Sequence, residues 1–244
     1  MRALGLDVGS THVKAAVVEL DGAEVRELAV AETPVARRDA LGLVSGAVDA
    51  ARAVLEEAGV VVEVVGIASM AETGALVDPD GAARGPLLRW DRTADADDRL
   101  ALARGLDPVA LHAATGAPLT PKLPLLTWAA LVRDGLPAGA RWAFAADLVG
   151  AALTGVLATD HTLAGRSGAL RLPAAGAPLG TTWDPDLLAA VAVPRTLPPR
   201  ILAPGEPLGA VRAGMLPGVA AGAPVHVAGH DHAVVARLPR MRGP

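Results

Sequence analysis

Leu4-Gly-Leu-Asp-Val-Gly-Ser-Thr-His-Val-Lys-Ala-Ala-Val-Val-Glu-Leu-Asp-Gly22 holds two apolar strands joined by a tight turn. The first strand ends at Asp7, and the second runs from Val13 to Leu20. Val13, Ala15, Val17 and Glu19 alternate with Lys14, Ala16, Val18 and Leu20, so both faces are largely apolar and the strand is expected to be buried. The turn suits phosphate. Gly9 lets the backbone approach a ligand, and the N–H groups and hydroxyls of Ser10 and Thr11 can point at phosphate oxygens. A carboxylate at the strand end, Asp7, can hold a Mg²⁺-bound water beside them. A hairpin that merely reverses the chain is the alternative. Against it stand the cost of an unpartnered Asp closing a buried strand and the gathering of hydroxyls and Lys14 in one place.

Asp7-x-Gly9-Ser10-Thr11-x-x-Lys14 resembles the first phosphate motif of the sugar-kinase/Hsp70/actin superfamily, and its continuation is similar to the FGGY carbohydrate kinases. Outward from the motif, Glu24–Ala31 reads as a third strand after the Asp21-Gly22 turn, completing an antiparallel meander. A helix is expected over Asp39–Ala58, with a stripe of Leu41, Val44, Val48, Ala51 and Leu55 and a stop at Gly59. Val60–Ala68 then returns to the sheet. The resemblance implies an α/β, ribonuclease-H-like (actin-like ATPase) domain: a mixed sheet flanked by helices, with a helical insertion for substrate binding.

Composition narrows the class. The 244 residues are 52% apolar but only 2% aromatic, so the core is expected to be built from Ala, Val and Leu. A net charge of −4 leaves no basic stripe for nucleic acid. With no cysteine there is no disulfide framework, thiolate metal site or thiol nucleophile. The longest apolar run, Trp142–Ala158, contains Asp147 and is short for a membrane span, and no secretory signal opens the chain. A soluble cytoplasmic protein is expected.

Along the middle of the chain, short strands are expected at Ala75–Val77 and Leu87–Trp90, around an Asp78-Pro-Asp-Gly81 turn. In FGGY kinases this arrangement places a Trp-Asp pair on the walls of the sugar pocket, which implies that Trp90 and Asp91 face substrate. Unaided, a lone Trp such as Trp90 is more commonly a core anchor. Glu72 matches the position where glycerol-kinase-like members carry a carboxylate for substrate hydroxyls, but Ala71 stands where they have Arg, which argues against glycerol. Thr93–Arg104 reads as a helix with Asp95, Asp97, Asp98 and Arg99 on a solvated face. Pro118, Pro121 and Pro124 precede a helix through Leu131, and Lys122 is expected near the cleft. Ala143–Leu157 is expected to be helical, Asp160 a turn or cap residue, and Asp184-Pro185 the start of another helix.

A second constellation lies at the far end. The strand Pro224-Val-His-Val-Ala228 leads into Gly229-His-Asp-His232 and a small apolar run. This resembles the FGGY catalytic signature, and Asp231 takes the position of its base. The chemistry asks for little more: a carboxylate to orient the attacking hydroxyl and accept its proton, with positioning and Mg²⁺ electrostatics supplying the rest. An N-cap is the plain reading of such an Asp. His230 and His232 invite a metal reading, but adjacent histidines flanking an Asp do not converge easily on one ion, and no His-Glu-x-x-His partner exists.

The resemblance covers residues 4 to about 235 and implies ATP and Mg²⁺ as cofactors, a sugar or polyol as substrate, and phosphorylation of one of its hydroxyls. FGGY kinases continue with a second domain that carries the adenosine site, whereas Arg237-Leu-Pro-Arg-Met-Arg-Gly-Pro244 departs from the family's pattern. The domain is therefore expected over 1–235 with an atypical tail at 236–244, the ATP-binding half being cut off or carried on a separate chain. Alone, such a half is expected to bind sugar weakly and transfer phosphate slowly or not at all. An uncovered apolar face would favour a homodimer or association with a separate C-terminal half. A non-catalytic sugar-binding or regulatory remnant is the alternative function.

Overall fold

Strict alternation makes the first strand: Leu4, Leu6 and Val8 of β1 (Arg2–Val8) are buried, while Gly5 and Asp7 are open to solvent. The computed structural model describes residues 1–22, 24–35, 39–78 and 81–235, without the side chain of Arg84. β2 (His12–Asp21) and β3 (Glu24–Pro34) complete the antiparallel meander, with Leu4 opposite Val17 and Val17 opposite Ala29. Burial of β2 is one-sided, contrary to expectation. Val13, Ala15 and Val17 are buried, but Lys14 is exposed and Ala16 and Val18 are half covered. The reason is that α1 (Ala40–Ala58) packs on that one face.

Asp39 caps α1 by accepting from Gly42 N at 2.7 Å, and Gly59 ends it at φ 61°. Ala40, Leu43, Ala47, Ala50 and Val54 form its buried stripe, and the small residues let it lie close to the strands. β4 (Val64–Ser69) then runs parallel to β1, beginning later than the expected Val60 because Val62 is diverted into a bridge with Val219.

A second layer follows. β5 (Gly74–Val77) and β6 (Ala83–Leu88) form a hairpin whose tip at residues 79 and 80 lies outside the described residues. Three helices come next: α2 (Ala96–Ala101), α3 (Pro108–Thr115) and α4 (Pro124–Arg133). Arg99 corrects the solvated-face reading of α2. It is 2% exposed, and its guanidinium donates to the carbonyls of Pro121 (2.7 Å) and Arg92 (2.8 Å) and pairs with Asp95. One buried arginine thus ties α2 to the segment before α4.

β7 (Arg141–Phe144) pairs with β5, so Ala143 and Phe144, expected to be helical, are strand; the helix α5 (Ala145–Thr154) starts two residues later than expected. Pairing with β5 overrides the helical pattern there. β8 (Ala158–Thr159), α6 (His161–Gly165), α7 (Pro185–Ala190), β9 (Arg200–Ile201) and β10 (Gly209–Ala210) lead to β11 (Pro224–His230) and α8 (Asp231–Val235). Asp184 caps α7 with Pro185 in its first turn, as expected. The atypical tail at 236–244 lies outside the described residues. The main sheet is mixed, in the order β10-β11-β4-β1-β2-β3, with β11, β4 and β1 parallel. α5 packs on β11 and β4 and against α1.

The aromatic residues contradict an Ala, Val and Leu core in one place. Trp128 and Trp142, both fully buried, meet Phe144 edge-on with ring centroids 6.3 and 6.0 Å away, and Trp183 stands 5.5 Å from Trp128. Three of the four tryptophans and the one phenylalanine are thus gathered into a single cluster in the second layer. The fourth, Trp90, is elsewhere.

Asp147 supplies a pH-dependent element beside that cluster. It is fully buried, accepts from Phe144 N at 3.0 Å, and burial pushes its carboxyl well above the ordinary carboxylate value. The folded chain keeps this proton after the unfolded chain has released it, so stability falls as pH rises above the ordinary carboxylate value. An amide keeps the bond to Phe144 without the charge. Asp147→Asn is expected to melt higher than the parent at neutral pH and to flatten the decline, which thermal melts between about pH 4 and pH 8 would show. Parallel melting curves across that range would refute it.

Candidate functional site

Three parallel strands end at the same edge, and this brings together residues more than two hundred positions apart. Val8 of β1 lies opposite Ser69 of β4, and Ser69 lies opposite His230 of β11. The segments that follow these strands, Gly9–Thr11, Met70–Glu72 and Asp231–His232, therefore line one cleft of about 600 Å³. Ligand crevices at the carboxyl ends of parallel strands are the rule for open α/β sheets.

The Gly9 turn forms one wall. Gly9 N donates to the His12 carbonyl at 3.1 Å, and a Cβ on Gly9 would stand 2.7 Å from that oxygen, so the turn closes only around glycine. Val35 N, at 2.8 Å, holds the Thr11 carbonyl from outside. Ser10 and Thr11 face the cleft with Asp7 and Lys14, which are register partners across β1 and β2. Asp7 is reached by solvent through the open cleft, yet its carboxyl is held above the ordinary value. Partial desolvation is the main cause and the charge of Asp231 the second, with Lys14 opposing both. The two carboxylates therefore sense each other across the cleft.

Asp231 is positioned by a bulge. The β11–β4 register slips between Val227 and Gly229, and Gly229 adopts φ 107°. Behind it, Asp160 caps α6 through Thr162 N and Leu163 N, and the Thr162 hydroxyl donates to Asp160 while accepting from His230 N at 2.7 Å. Asp160 is a cap, as its sequence suggested, and through Thr162 it also pins the end of β11. A Cβ at Gly229 would overlap Thr162 Oγ1 and stand 2.6 Å from Asp160 Oδ2. Gly229→Ala is expected to cost about 2 kcal/mol or more through backbone strain and loss of the Thr162 bond. That corresponds to a melting point lower by roughly 4–8 °C. A melting point within a degree or so of the parent would show that the bulge relaxes freely.

Glu72 and Trp90 also line the cleft. Glu72 sits in the left-handed region at φ 55°, uncommon for a residue with a side chain, and its carboxylate is 12% exposed. Arg166 holds it with both Nε (2.9 Å) and Nη2 on Oε1. Sequence reasoning missed Arg166, because no local pattern marks a partner 94 residues away. It also weakens the argument from Ala71: a guanidinium does reach Glu72, from another element. Trp90 is 39% exposed, so it is not the core anchor of the plain reading, and Thr73 Oγ1 accepts from its backbone N at 3.1 Å. Lys122 lines the same cleft with its ammonium 4.7 Å above the Trp90 ring. Asp91 is not brought to the cleft lining; it makes a two-pronged pair with Arg89, at 2.9 and 2.7 Å.

The donor sets bear on what could bind. Oxygen groups of Asp7, Ser10, Thr11 and Asp231 in one cleft suit a hard cation such as Mg²⁺, which would offset the Asp231 charge that, after desolvation, helps raise the Asp7 carboxyl. No helix among the described residues is long and apolar enough to cross a membrane.

Residues 2–237 match the model of the FGGY family of carbohydrate kinases, N-terminal domain. L-fuculokinase of Escherichia coli strain K12 is 30% identical over 253 residues, covering 93% of this chain and 50% of that relative. L-fuculokinase of Salmonella typhi is 29% identical over 244 residues, with the same coverage of 93% and 50%. Among solved structures, xylulose kinase from Rhodospirillum rubrum matches with TM-score 0.84 at 25% identity, over 98% of this chain and 51% of that one. Gluconate kinase from Lactobacillus acidophilus matches with TM-score 0.79 at 18% identity, over 94% and 48%, a likeness of fold. The chain spans about half the length of the curated relatives it matches. The architecture is the ribonuclease-H-like, actin-like ATPase fold expected from the sequence.

Proposed function

Because the chain belongs to the FGGY family of carbohydrate kinases, through that family's N-terminal domain, we propose that its cleft binds a sugar or polyol and presents one hydroxyl for ATP-dependent phosphorylation. The observation that carries this reading is the β1–β4–β11 register, which sets the phosphate-type turn and Asp231 on one cleft. Asp231 orients the substrate hydroxyl and accepts its proton as the oxygen attacks the terminal phosphorus of ATP and ADP leaves. Ser10, Thr11 and the Gly9 turn receive phosphate oxygens, and Lys14 offers positive charge beside them. Asp7 would hold Mg²⁺ through its oxygens or a bound water; when present, the ion neutralises charge on the phosphates.

Glu72, fixed by Arg166, accepts from sugar hydroxyls, and Trp90 with Lys122 forms another part of the cleft lining. Asp91, next to Trp90, pairs with Arg89 through both carboxylate oxygens. The protein works in the cytoplasm, and a nucleotide-binding half, carried on the same polypeptide or on another, completes the site for turnover. The domain that binds the sugar spans residues 1–235.

Calorimetric titration with L-fuculose, the sugar implied by the curated relatives' name, and with D-xylulose, gluconate and glycerol tests the reading. Saturable binding of at least one of them, weakened in Glu72→Gln, is expected. No binding by any polyol or sugar would overturn it.

A further inference from the structure

We propose that His230, Asp231 and His232 form a binding site for a single divalent transition-metal ion of the zinc type at the mouth of the cleft. Their sequence argued against this, since neighbouring histidines do not easily converge. The change from β11 to α8 between His230 and Asp231 removes the objection. The two imidazole rings lie 4.8 Å apart with planes tilted by 39°, and both Nε2 atoms approach the same carboxylate oxygen, Asp231 Oδ1, at 3.0 and 4.0 Å. One ligand atom from each residue falls within 4.8 Å of the other two.

Preparation and access also favour binding. His230 is fixed by the bond from its backbone N to Thr162, and its ring is 14% exposed, so one ligand is held in place before the ion arrives. The His232 side chain is 85% exposed and free to close the remaining distance at little cost. Two imidazoles and one carboxylate suit Zn²⁺, Ni²⁺ or Cu²⁺, whereas Mg²⁺ prefers oxygen donors throughout. The site is therefore distinct in chemistry from the Mg²⁺ position proposed at Asp7. The ion would engage Asp231, so, resting on the role proposed for that carboxylate, zinc and sugar compete.

Titration of ZnCl₂ into the metal-free 244-residue chain tests this. One-to-one saturable uptake is expected, with His232→Ala weakening it by at least the about tenfold that loss of a merely supporting partner costs. His112→Ala, outside the cleft, leaves it unchanged, and excess MgCl₂ does not displace the ion. Absence of uptake, or an isotherm unaltered by His232→Ala, overturns the inference. Sugar binding that survives saturating zinc overturns the placement of the ion on Asp231. If the proposed function is what fails, the metal-free chain binds no sugar whatever zinc does.

Discussion

In a polypeptide that contains these residues and phosphorylates sugar, Asp231→Asn lowers kcat by about 10²- to 10⁴-fold, the range for losing a positioned general base. Sugar still binds, because an amide in the same place can hydrogen-bond a hydroxyl but cannot take its proton. The fold should not suffer. Asp231 is the second cause of the raised Asp7 carboxyl, after desolvation. Removing its charge lets Asp7 ionise more easily. A raised carboxyl withdraws stability as pH climbs through the interval between its unfolded and folded values, so relief of that shift stabilises the folded chain above the interval. The melting point of Asp231→Asn is therefore expected to equal or exceed the parent's at neutral pH, with the gain vanishing in acid. A kcat within tenfold of the parent's would remove Asp231 from the chemistry; a large fall in melting point would mean that its role is structural.

The largest expected effect on stability falls on Gly74→Ala. Gly74 starts β5 between the two other strands of its sheet, opposite Phe144 on β7 and Leu88 on β6. A methyl group there would overlap the Ala143 carbonyl and the edge of the Trp142 ring. Neither can yield cheaply. The carbonyl belongs to a paired strand, and Trp142 is fully buried against Trp128 and Phe144. Overpacking of this kind costs about 3 kcal/mol, toward the upper end of its usual range, or a melting point lower by roughly 6–12 °C for a domain of this size. The consequence reaches the cleft, because the neighbouring Thr73 hydroxyl holds the backbone of Trp90. Sugar affinity should fall in the same variant at temperatures where it remains folded. Unchanged melting would contradict the tight packing of β5 on β7.

Much of the fold was legible because its signals are local. Alternation over Leu4–Leu20 marks paired strands, Gly59 ends a helix, and Asp184-Pro185 opens one, each within a few residues of its cause. The features that resisted reading depend on distant partners. Nothing near Arg99 announces that two carbonyls and a carboxylate await it inside the protein, so a charged helix looked uniformly wet. Ala143-Phe144 reads as helix until β5 claims it. The aromatic cluster draws on α4, β7 and the segment before α7, which composition alone scatters. In the cleft, Gly9–Thr11 and Asp231 were found from motif and resemblance, and the structure brings them to one opening. Arg166, Thr162 and the shared carboxylate oxygen of the two histidines were not found, because each owes its position to the bulge at Gly229 or to a partner in another element.

Amide chemical shifts recorded while the ¹⁵N-labelled chain is titrated with its best-binding sugar, first alone and then with ATP and Mg²⁺, probe the shared cleft directly. Both distant segments, Gly9–Thr11 and Gly229–His232, should respond together, with Glu72 moving in the sugar step. Perturbation confined to one of the two segments, or scattered away from both, would contradict a single phosphoryl-transfer site.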